Sequence, residues 1–172
     1  MFEERGYRRT SVADIVERAD TARGTFYLYF RNKEAVWAEV LTQAIDELYR
    51  SAGGPQPDLE AAIRAWLQTY SERLGLWRCT VEAALESPAA AAVWMAERDR
   101  FMERLARHLQ AEQEDGRARP GDAGLVSLAL GSMVEWIAFT SMVVRDPPDD
   151  PTWLDRTAAA LASVWNHAVH PD

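Results

Sequence analysis

The residues with the clearest chemical potential lie in the stretch TARGTFYLYFRNKE, residues 21–34. Its two tyrosines, Tyr27 and Tyr29, can each bury a ring edge and offer a phenol hydroxyl to a phosphate oxygen. Arg23 and Lys33 add positive charge on either side of them. Hydroxyls and cations in so short a segment are suited to binding a polyanion such as a nucleic acid backbone.

Catalytic chemistry finds little support elsewhere in the chain. Of three histidines, His167 and His170 lie near the C-terminal end. Cys79 has no histidine nearby in sequence and is predicted to be a small buried apolar residue. Glu82 and Glu86 are one helical turn apart, a spacing typical of solvated pairs. We therefore predict no catalytic residue, no metal site and no cofactor; an enzyme on a helical bundle is the distant alternative.

Charge is distributed unevenly along the 172 residues, whose net charge is −8. Between Arg5 and Lys33 there are seven cations and three anions, whereas from residue 51 onward eleven arginines face eighteen acids. A basic head on an acidic body approaches a polyanion head first.

We predict a cytoplasmic protein without a membrane partner. The chain has a single cysteine, lacks a secretory signal and lacks an apolar run of about 18–20 residues.

Helical periodicity with capping residues runs through the chain, and strand signals are nearly absent. The fold class predicted is all-α, with eight or nine helices: a small three-helix head and a larger bundle. The clearest boundary is GGPQP, residues 53–57, because Gly and Pro cannot continue a helix. A break at Gly75 and a last long helix pair, about 122–144 and 151–169, complete the prediction.

The stretch 21–34 separates into faces when it is placed on a helix at about 100° per residue. Phe26 and Phe30 share one face and would pack on the preceding short helix. Gly24 and Leu28 lie opposite them, so they would meet whatever the head binds. Two short basic helices joined by a tight turn are typical of a helix-turn-helix.

The segment RGYRRTSVADIVERADTARGTFYLYFRNKEAVWAEV resembles the DNA-binding head of the tetracycline-repressor (TetR) family of bacterial transcriptional regulators, over roughly residues 2–45. The resemblance implies that Thr10 or Ser11 caps the first motif helix and contacts phosphate. It further implies a recognition helix in the major groove and phosphate contacts at its edges. Leu28 occupies a variable family position, where it could read a thymine methyl. The DNA-binding residues implied are Thr10, Ser11, Arg23, Gly24, Thr25, Tyr27, Leu28, Tyr29 and Lys33.

Three features depart from the family pattern. Asp20 replaces a turn glycine that often has positive φ, a conformation Asp tolerates better than most residues. Ala22 replaces a serine cap, a loss of about 1 kcal/mol unless Thr21 or Asp20 substitutes. The family's first helix normally begins well upstream of FEERGY, so that helix is expected to be largely missing. We therefore expect this 172-residue form to bind DNA poorly.

For the body, the resemblance implies an effector cavity, and its aromatic and sulfur-containing residues would favour a hydrophobic or aromatic ligand. Glu135 interrupts an apolar stretch and must find a partner, either a cationic ligand or an arginine such as Arg98 or Arg104. The ligand-binding residues expected are Trp66, Tyr70, Trp77, Trp94, Phe101, Met133, Glu135 and Trp136.

The last two helices combine small and bulky residues that suit a two-fold interface of four helices. The residues expected there are Leu125, Leu128, Gly131, Leu154, Ala158, Leu161 and Trp165. With a helix-turn-helix domain over 1–45 and a ligand-binding and dimerisation domain over 46–172, the sequence predicts a homodimeric regulator. It would most simply be a repressor that an effector releases from a palindromic operator. The alternative is a helical ligand- or protein-binding module that has lost DNA binding.

Overall fold

A computed structural model of the chain describes residues 1–53 and 58–170. Within these ranges the protein has nine α-helices and no strand, and the ninth follows a short π-helical segment. The all-α prediction is therefore confirmed. The helices are α1 Phe2–Arg5, α2 Val12–Arg18, α3 Arg23–Tyr29, α4 Lys33–Gly53, α5 Leu59–Ser71, α6 Leu74–Glu86, α7 Pro88–Glu114, α8 Ala123–Ala138, the π-helix Phe139–Val144, and α9 Trp153–Val169.

The described residues form two compact units. The first comprises residues 1–46 and 73–97, and the second comprises 47–53, 58–72 and 98–170. The first stretch ends at Asp46, one residue after the sequence-based boundary at 45/46, and α6 and the start of α7 also belong to the first unit. The assignment of DNA binding to 1–45 and of ligand binding and dimerisation to 46–172 stays a prediction. Of the predicted GGPQP break, Gly53 ends α4, and residues 54–57 lie outside the described part of the chain.

The first unit is built around Trp37 of α4, which is fully buried. The ring of Phe2 meets that of Trp37 edge-on at a centroid distance of 5.4 Å, and the ring of Tyr7 does so at 5.8 Å. Helix α1 packs against α6, and α2 packs against α3. These ring contacts join α1, and the connection between α1 and α2, to α4.

The second unit is held by α5, which packs against α9 and α8. The inward side of α9 places Ala158, Leu161 and Ala162 in the core. A further buried cluster joins Leu109 and Leu130 to residues of the chain near its C-terminal end. Burial of apolar side chains from all these helices supplies the main stabilisation of the unit.

Two predicted helix boundaries differ from the structure. The break placed at Gly75 lies instead at Glu72–Arg73, and Gly75 belongs to the first turn of α6. A Cβ there would lie 2.7 Å from the carbonyl oxygen of Glu3, so the glycine allows close packing on α1 rather than ending a helix. The helix expected over 122–144 is α-helical only to Ala138 and continues as a π-helix.

The expectation that no segment is apolar enough for a membrane span was wrong. Among the described residues, the 22-residue stretch Ala123–Val144 is long and apolar enough by length and composition to cross a membrane, and an 18-residue window within it has a mean hydropathy of 1.5. Its one charged residue, Glu135, does not offset the apolar ones. A core helix of a globular protein meets the same two criteria, so they alone do not assign a span.

Candidate nucleic-acid interface

Helix α2 begins with a capping box at Ser11. The Ser11 Oγ accepts from the backbone N–H of Asp14 at 3.2 Å, and the Ser11 N–H donates to the Asp14 carboxylate at 2.8 Å. The Ser11 hydroxyl also donates to the Asp14 carboxylate, and this hydrogen bond, followed by the one from the Ser11 N–H, lowers the pKa of Asp14. Thr10, by contrast, is buried, and its hydroxyl donates to the Gly6 carbonyl at 2.7 Å. Of the two alternatives, Ser11 is the cap and the residue whose side chain faces solvent.

The turn between α2 and α3 behaves as its residues suggested. Asp20 has φ 46°, the left-handed conformation for which the family uses glycine. Ala22 is the N-cap of α3, and no side chain accepts a hydrogen bond there, so neither Thr21 nor Asp20 replaces the missing serine. The first turn of α3 therefore lacks the side-chain hydrogen bond that a serine at position 22 could accept from a backbone N–H group.

Helix α3 presents its side chains as the helical repeat predicted. Phe26 is buried, and Phe30, directly after the helix, packs on it at 5.7 Å between ring centroids. Tyr27 is 49% exposed, Tyr29 78% and Leu28 82%. Arg23, Gly24 and Thr25 are also exposed. The outward face thus consists of hydroxyls, one cation, one glycine and one leucine.

The basic residues of the head divide into arginines that form ion pairs and arginines that form none within the described part of the chain. Arg5 pairs with Asp14 at 3.1 Å, and Arg18 pairs with Glu4 at 3.0 Å, which lowers the pKa of Glu4. Among the described residues, neither Arg23 nor Arg31 forms an ion pair; the Arg23 guanidinium instead lies 5.9 Å from the ring centroid of Tyr27. These two cations are available to phosphates.

Lys33, at the start of α4, has a second role that its sequence position did not reveal. Its ammonium donates to the Tyr7 carbonyl at 2.9 Å and lies 4.0 Å from the centroid of the Tyr7 ring. The Tyr7 hydroxyl donates to Glu34 at 3.1 Å, and burial raises the pKa of Tyr7. Lys33 therefore stabilises the head from inside, and a phosphate contact by Lys33 stays a prediction.

Glu82 of α6 is a positioning residue that sequence analysis missed. Its carboxylate accepts from the backbone N–H groups of Tyr7 at 2.9 Å and Arg8 at 3.1 Å, which connect α1 to α2. Gly6, with φ 80°, allows this approach, since a Cβ there would lie 2.5 Å from the carboxylate. From the sequence, Glu82 and Glu86 were interpreted as a solvated pair. Tyr7 lies 75 residues before Glu82 in the chain, so no local sequence pattern indicates this contact.

The predicted effector residues fall in both units. Trp77 and Trp94 belong to the first unit, and the other six belong to the second. Glu135 pairs with Arg98, with 2.8 Å between Oε2 and Nε, so the arginine alternative is the one the structure contains. Burial raises the pKa of Glu135, and Arg98 partly opposes that rise.

The remaining effector candidates of the second unit occupy different surroundings. Trp66 stacks on Tyr70 at 5.0 Å between ring centroids, and the buried indole N–H of Trp66 has no hydrogen-bond partner among the described residues. Burial, followed by the nearby Glu135, raises the pKa of Tyr70. Phe101 stacks on another ring, Met133 packs against the core cluster, and Trp136 is 65% exposed.

The residues predicted for self-association also divide. Gly131, Ala158 and Leu161 are buried within the unit, Leu154 and Trp165 are half-buried, and Leu125 and Leu128 are exposed. The exposed leucines share one stripe of α8 with Trp136, at positions i, i+3 and i+11. Val164 is an exposed apolar residue of α9 that the sequence analysis missed. We call Leu125, Leu128 and Trp136 the α8 stripe.

One groove of about 410 Å³ lies in the first unit and contains none of the predicted site residues. Within the described residues, no three histidine, cysteine or acidic side chains are placed to hold a metal ion. The predicted residues that the structure does bring together lie on α2, the tight turn after it and α3, where Phe26 is buried and the opposite face of α3 is exposed. This arrangement defines a helix-turn-helix DNA-binding protein.

Comparison with known proteins agrees with this class. Residues 1–40 match the family model of bacterial regulatory proteins of the tetR family, and residues 59–170 match that of the C-terminal domain of the transcriptional regulator EthR. The chain belongs to the TetR family of transcriptional regulators and shares the EthR type of C-terminal domain. The resemblance inferred from the head alone is therefore confirmed.

Individual relatives span nearly the whole chain. The HTH-type transcriptional regulator EthR of Mycolicibacterium smegmatis is 26% identical, covering 99% of this chain and 81% of that protein. The crystal structure of a TetR-family regulator from Mesorhizobium loti has a TM-score of 0.82 at 22% identity, covering 99% and 91%. A SmeT–triclosan complex has a TM-score of 0.75 at 24% identity, covering 99% and 87%. These structures share the fold described above.

Proposed function

We propose that this regulator binds a palindromic DNA operator as a homodimer, acts as a repressor in the cytoplasm, and is released by a hydrophobic or aromatic effector. The observation that carries the proposal is the outward face of α3, where Tyr29 is 78% exposed above the buried Phe26. Because the Tyr29 side chain is largely exposed in the free protein, its ring and hydroxyl are available for a contact with DNA.

The charge of the head supports the same function. Arg23 lies 5.9 Å from the ring centroid of Tyr27, and Arg31 follows Tyr29 by two residues in the chain. Neither arginine forms an ion pair among the described residues. Arginines that bind phosphates release counterions from the DNA, so the affinity for DNA would fall as the salt concentration rises. Ser11 can add a phosphate contact at the N-terminus of α2, whereas the Thr10 hydroxyl is already satisfied by Gly6.

The effector part of the proposal rests on the aromatic residues of the second unit. The buried N–H of Trp66 has no hydrogen-bond partner in the part of the chain that the structure describes, and the Tyr70 ring stacks on the Trp66 ring. Such surroundings suit an apolar ligand with a hydrogen-bond acceptor. Because Glu135 is paired with Arg98, a neutral ligand suits this region better than a cation. SmeT, which shares this fold, forms a complex with triclosan, an aromatic compound, and this supports an aromatic ligand here.

The test compares specificity rather than tightness, because phosphate contacts bind any duplex and only base contacts distinguish one sequence from another. A duplex selected from a random pool by the full chain is compared with a scrambled duplex by fluorescence anisotropy. Tyr29→Phe, which removes one hydroxyl, should weaken binding to both duplexes alike, as expected of a phosphate contact. Leu85→Ala, at an equally exposed site on α6, is the control. Equal affinity of the wild-type chain for the two duplexes would exclude the operator function and leave the ligand- or protein-binding alternative.

A further inference from the structure

We propose that Leu28 reads the C5 methyl group of a thymine in each operator half-site and thereby sets sequence specificity at that base pair. This inference rests on the proposed operator function, because it names the base that the exposed face of α3 selects. It concerns a base contact, as distinct from the phosphate contacts of the tyrosines.

The position of Leu28 is the first step. Its side chain is 82% exposed, whereas Phe26, two residues earlier, is 5% exposed. At about 100° per residue, Leu28 points roughly 160° away from Phe26 and from the core of the head. Among the side chains of α3, that of Leu28 therefore points most directly away from this core.

Gly24 makes the leucine accessible. It lies one turn before Leu28, on the part of the helix surface over which the leucine side chain leans. Among the residues that the structure describes, no atom beyond the neighbouring residues and the helix backbone lies within 4 Å of a Cβ placed at Gly24, so none of these residues covers this place. A base edge can thus approach the methyl groups of Leu28 without displacing another side chain.

The chemistry of Leu28 limits which base edge it can accept. Leucine has no hydrogen-bonding group, and in the major groove thymine alone among the four unmodified bases presents a methyl group. Pressing leucine against an amino or carbonyl edge would strip that group of water without replacing its hydrogen bond. The neighbouring Arg23 and Thr25, both exposed, retain donors for the polar edges on either side.

Deoxyuridine supplies the probe, because it differs from thymidine only by lacking the methyl group. Each symmetric pair of thymines in the selected operator is replaced in turn, and the dissociation constant of the full chain is measured. One pair should be sensitive, with a loss of about fourfold per half-site and roughly sixteenfold for both, as expected for one apolar methyl contact. The other replacements should change affinity less than about twofold.

Two variants assign that sensitivity to a residue. Leu28→Ala should bind the thymine and deoxyuridine operators equally well, because the contact atoms are gone. Leu85→Ala removes the same atoms from a leucine that is 84% exposed outside α3, and it should retain the wild-type discrimination. Both sites are on the surface, so circular dichroism should show unchanged helix content.

The outcomes separate this inference from the function beneath it. If the chain selects an operator but no thymine pair is sensitive, the Leu28 inference is overturned and the operator function stands. Discrimination that survives in Leu28→Ala overturns it equally. If no duplex is selected over scrambled DNA, both proposals fail together.

Discussion

At the scale of single residues, the turn before α3 carries an uncapped helix start that can be repaired. Ala22 has the extended backbone of an N-cap, φ −79° and ψ 145°, but no side chain to accept from the first-turn N–H groups. We predict that Ala22→Ser raises the free energy of unfolding by about 1 kcal/mol, because the serine hydroxyl can accept one of these hydrogen bonds. Urea denaturation followed by circular dichroism measures the change.

A matched control uses the neighbouring residue. Thr21→Ser places a serine at the exposed residue just before the N-cap position and changes only one methyl group, so it should leave the stability within about 0.5 kcal/mol of the wild type. Equal stabilisation by both changes, or none by Ala22→Ser, would contradict the role assigned to Ala22.

Residue patterns predicted the faces of α3 well, because Phe26 and Phe30 differ from Tyr27 and Leu28 simply by helical angle. They could not decide between Thr10 and Ser11, since both precede α2 and both have hydroxyls. Lys33 also shows the limit: its carbonyl acceptor lies 26 residues earlier in the chain, and no local pattern brings the two together.

At the scale of elements, α6 holds the connection between α1 and α2 through Glu82. We predict that Glu82→Gln lowers the free energy of unfolding by about 1–2 kcal/mol, because each carboxylate oxygen accepts one backbone N–H group. Glutamine keeps one of these oxygens and replaces the other by an NH2 group, which cannot accept. Chemical denaturation measures the loss. Operator affinity should fall as well, since the segment leads into the capping box at Ser11.

The control lies one turn further along the same helix. Glu86 pairs with the exposed Arg8 at 3.3 Å, so Glu86→Gln should cost less than about 1 kcal/mol. If Glu86→Gln were as destabilising as Glu82→Gln, general loss of charge on α6 would explain both results and the specific role of Glu82 would be wrong.

Element types followed from periodicity and caps, but two boundaries depended on packing. Gly75 was expected to interrupt a helix, and its proximity to Glu3 shows instead that it allows α1 and α6 to approach. The π-helix after Ala138 has no sequence signal that we recognise. Glu135 was correctly expected to need a partner, but the choice of Arg98 over Arg104 required the structure.

At the scale of the whole molecule, the apolar composition of Ala123–Val144 is explained if one side of α8 packs inside the protomer and the α8 stripe is covered by a second copy. Leu130, Val134 and Ala138 are buried, while Leu125 and Leu128 on the stripe are exposed. Two-fold pairing of such a stripe buries it on both copies at once. We propose the α8 stripe, with Val164, as the dimer interface.

We predict that the wild-type chain is a dimer at micromolar concentration and that Leu125→Glu raises its dissociation constant by about tenfold or more, because a carboxylate would be buried without a partner. Analytical ultracentrifugation measures both. Leu85→Glu places the same charge on an exposed leucine of the first unit and should leave the dimer intact. A monomeric wild type, or an unaffected Leu125→Glu dimer, would show that this interface is wrong.

The central claim, a dimeric helix-turn-helix regulator that reads a palindromic operator, is tested most directly by one titration. The full chain is titrated against its selected duplex and against a scrambled duplex of the same composition, with anisotropy and native mass spectrometry giving affinity and stoichiometry. We predict two protomers per duplex, half-sites about 10 base pairs apart, and at least about tenfold preference for the selected duplex. One protomer per duplex, or equal affinity for both duplexes at every salt concentration, would contradict the account.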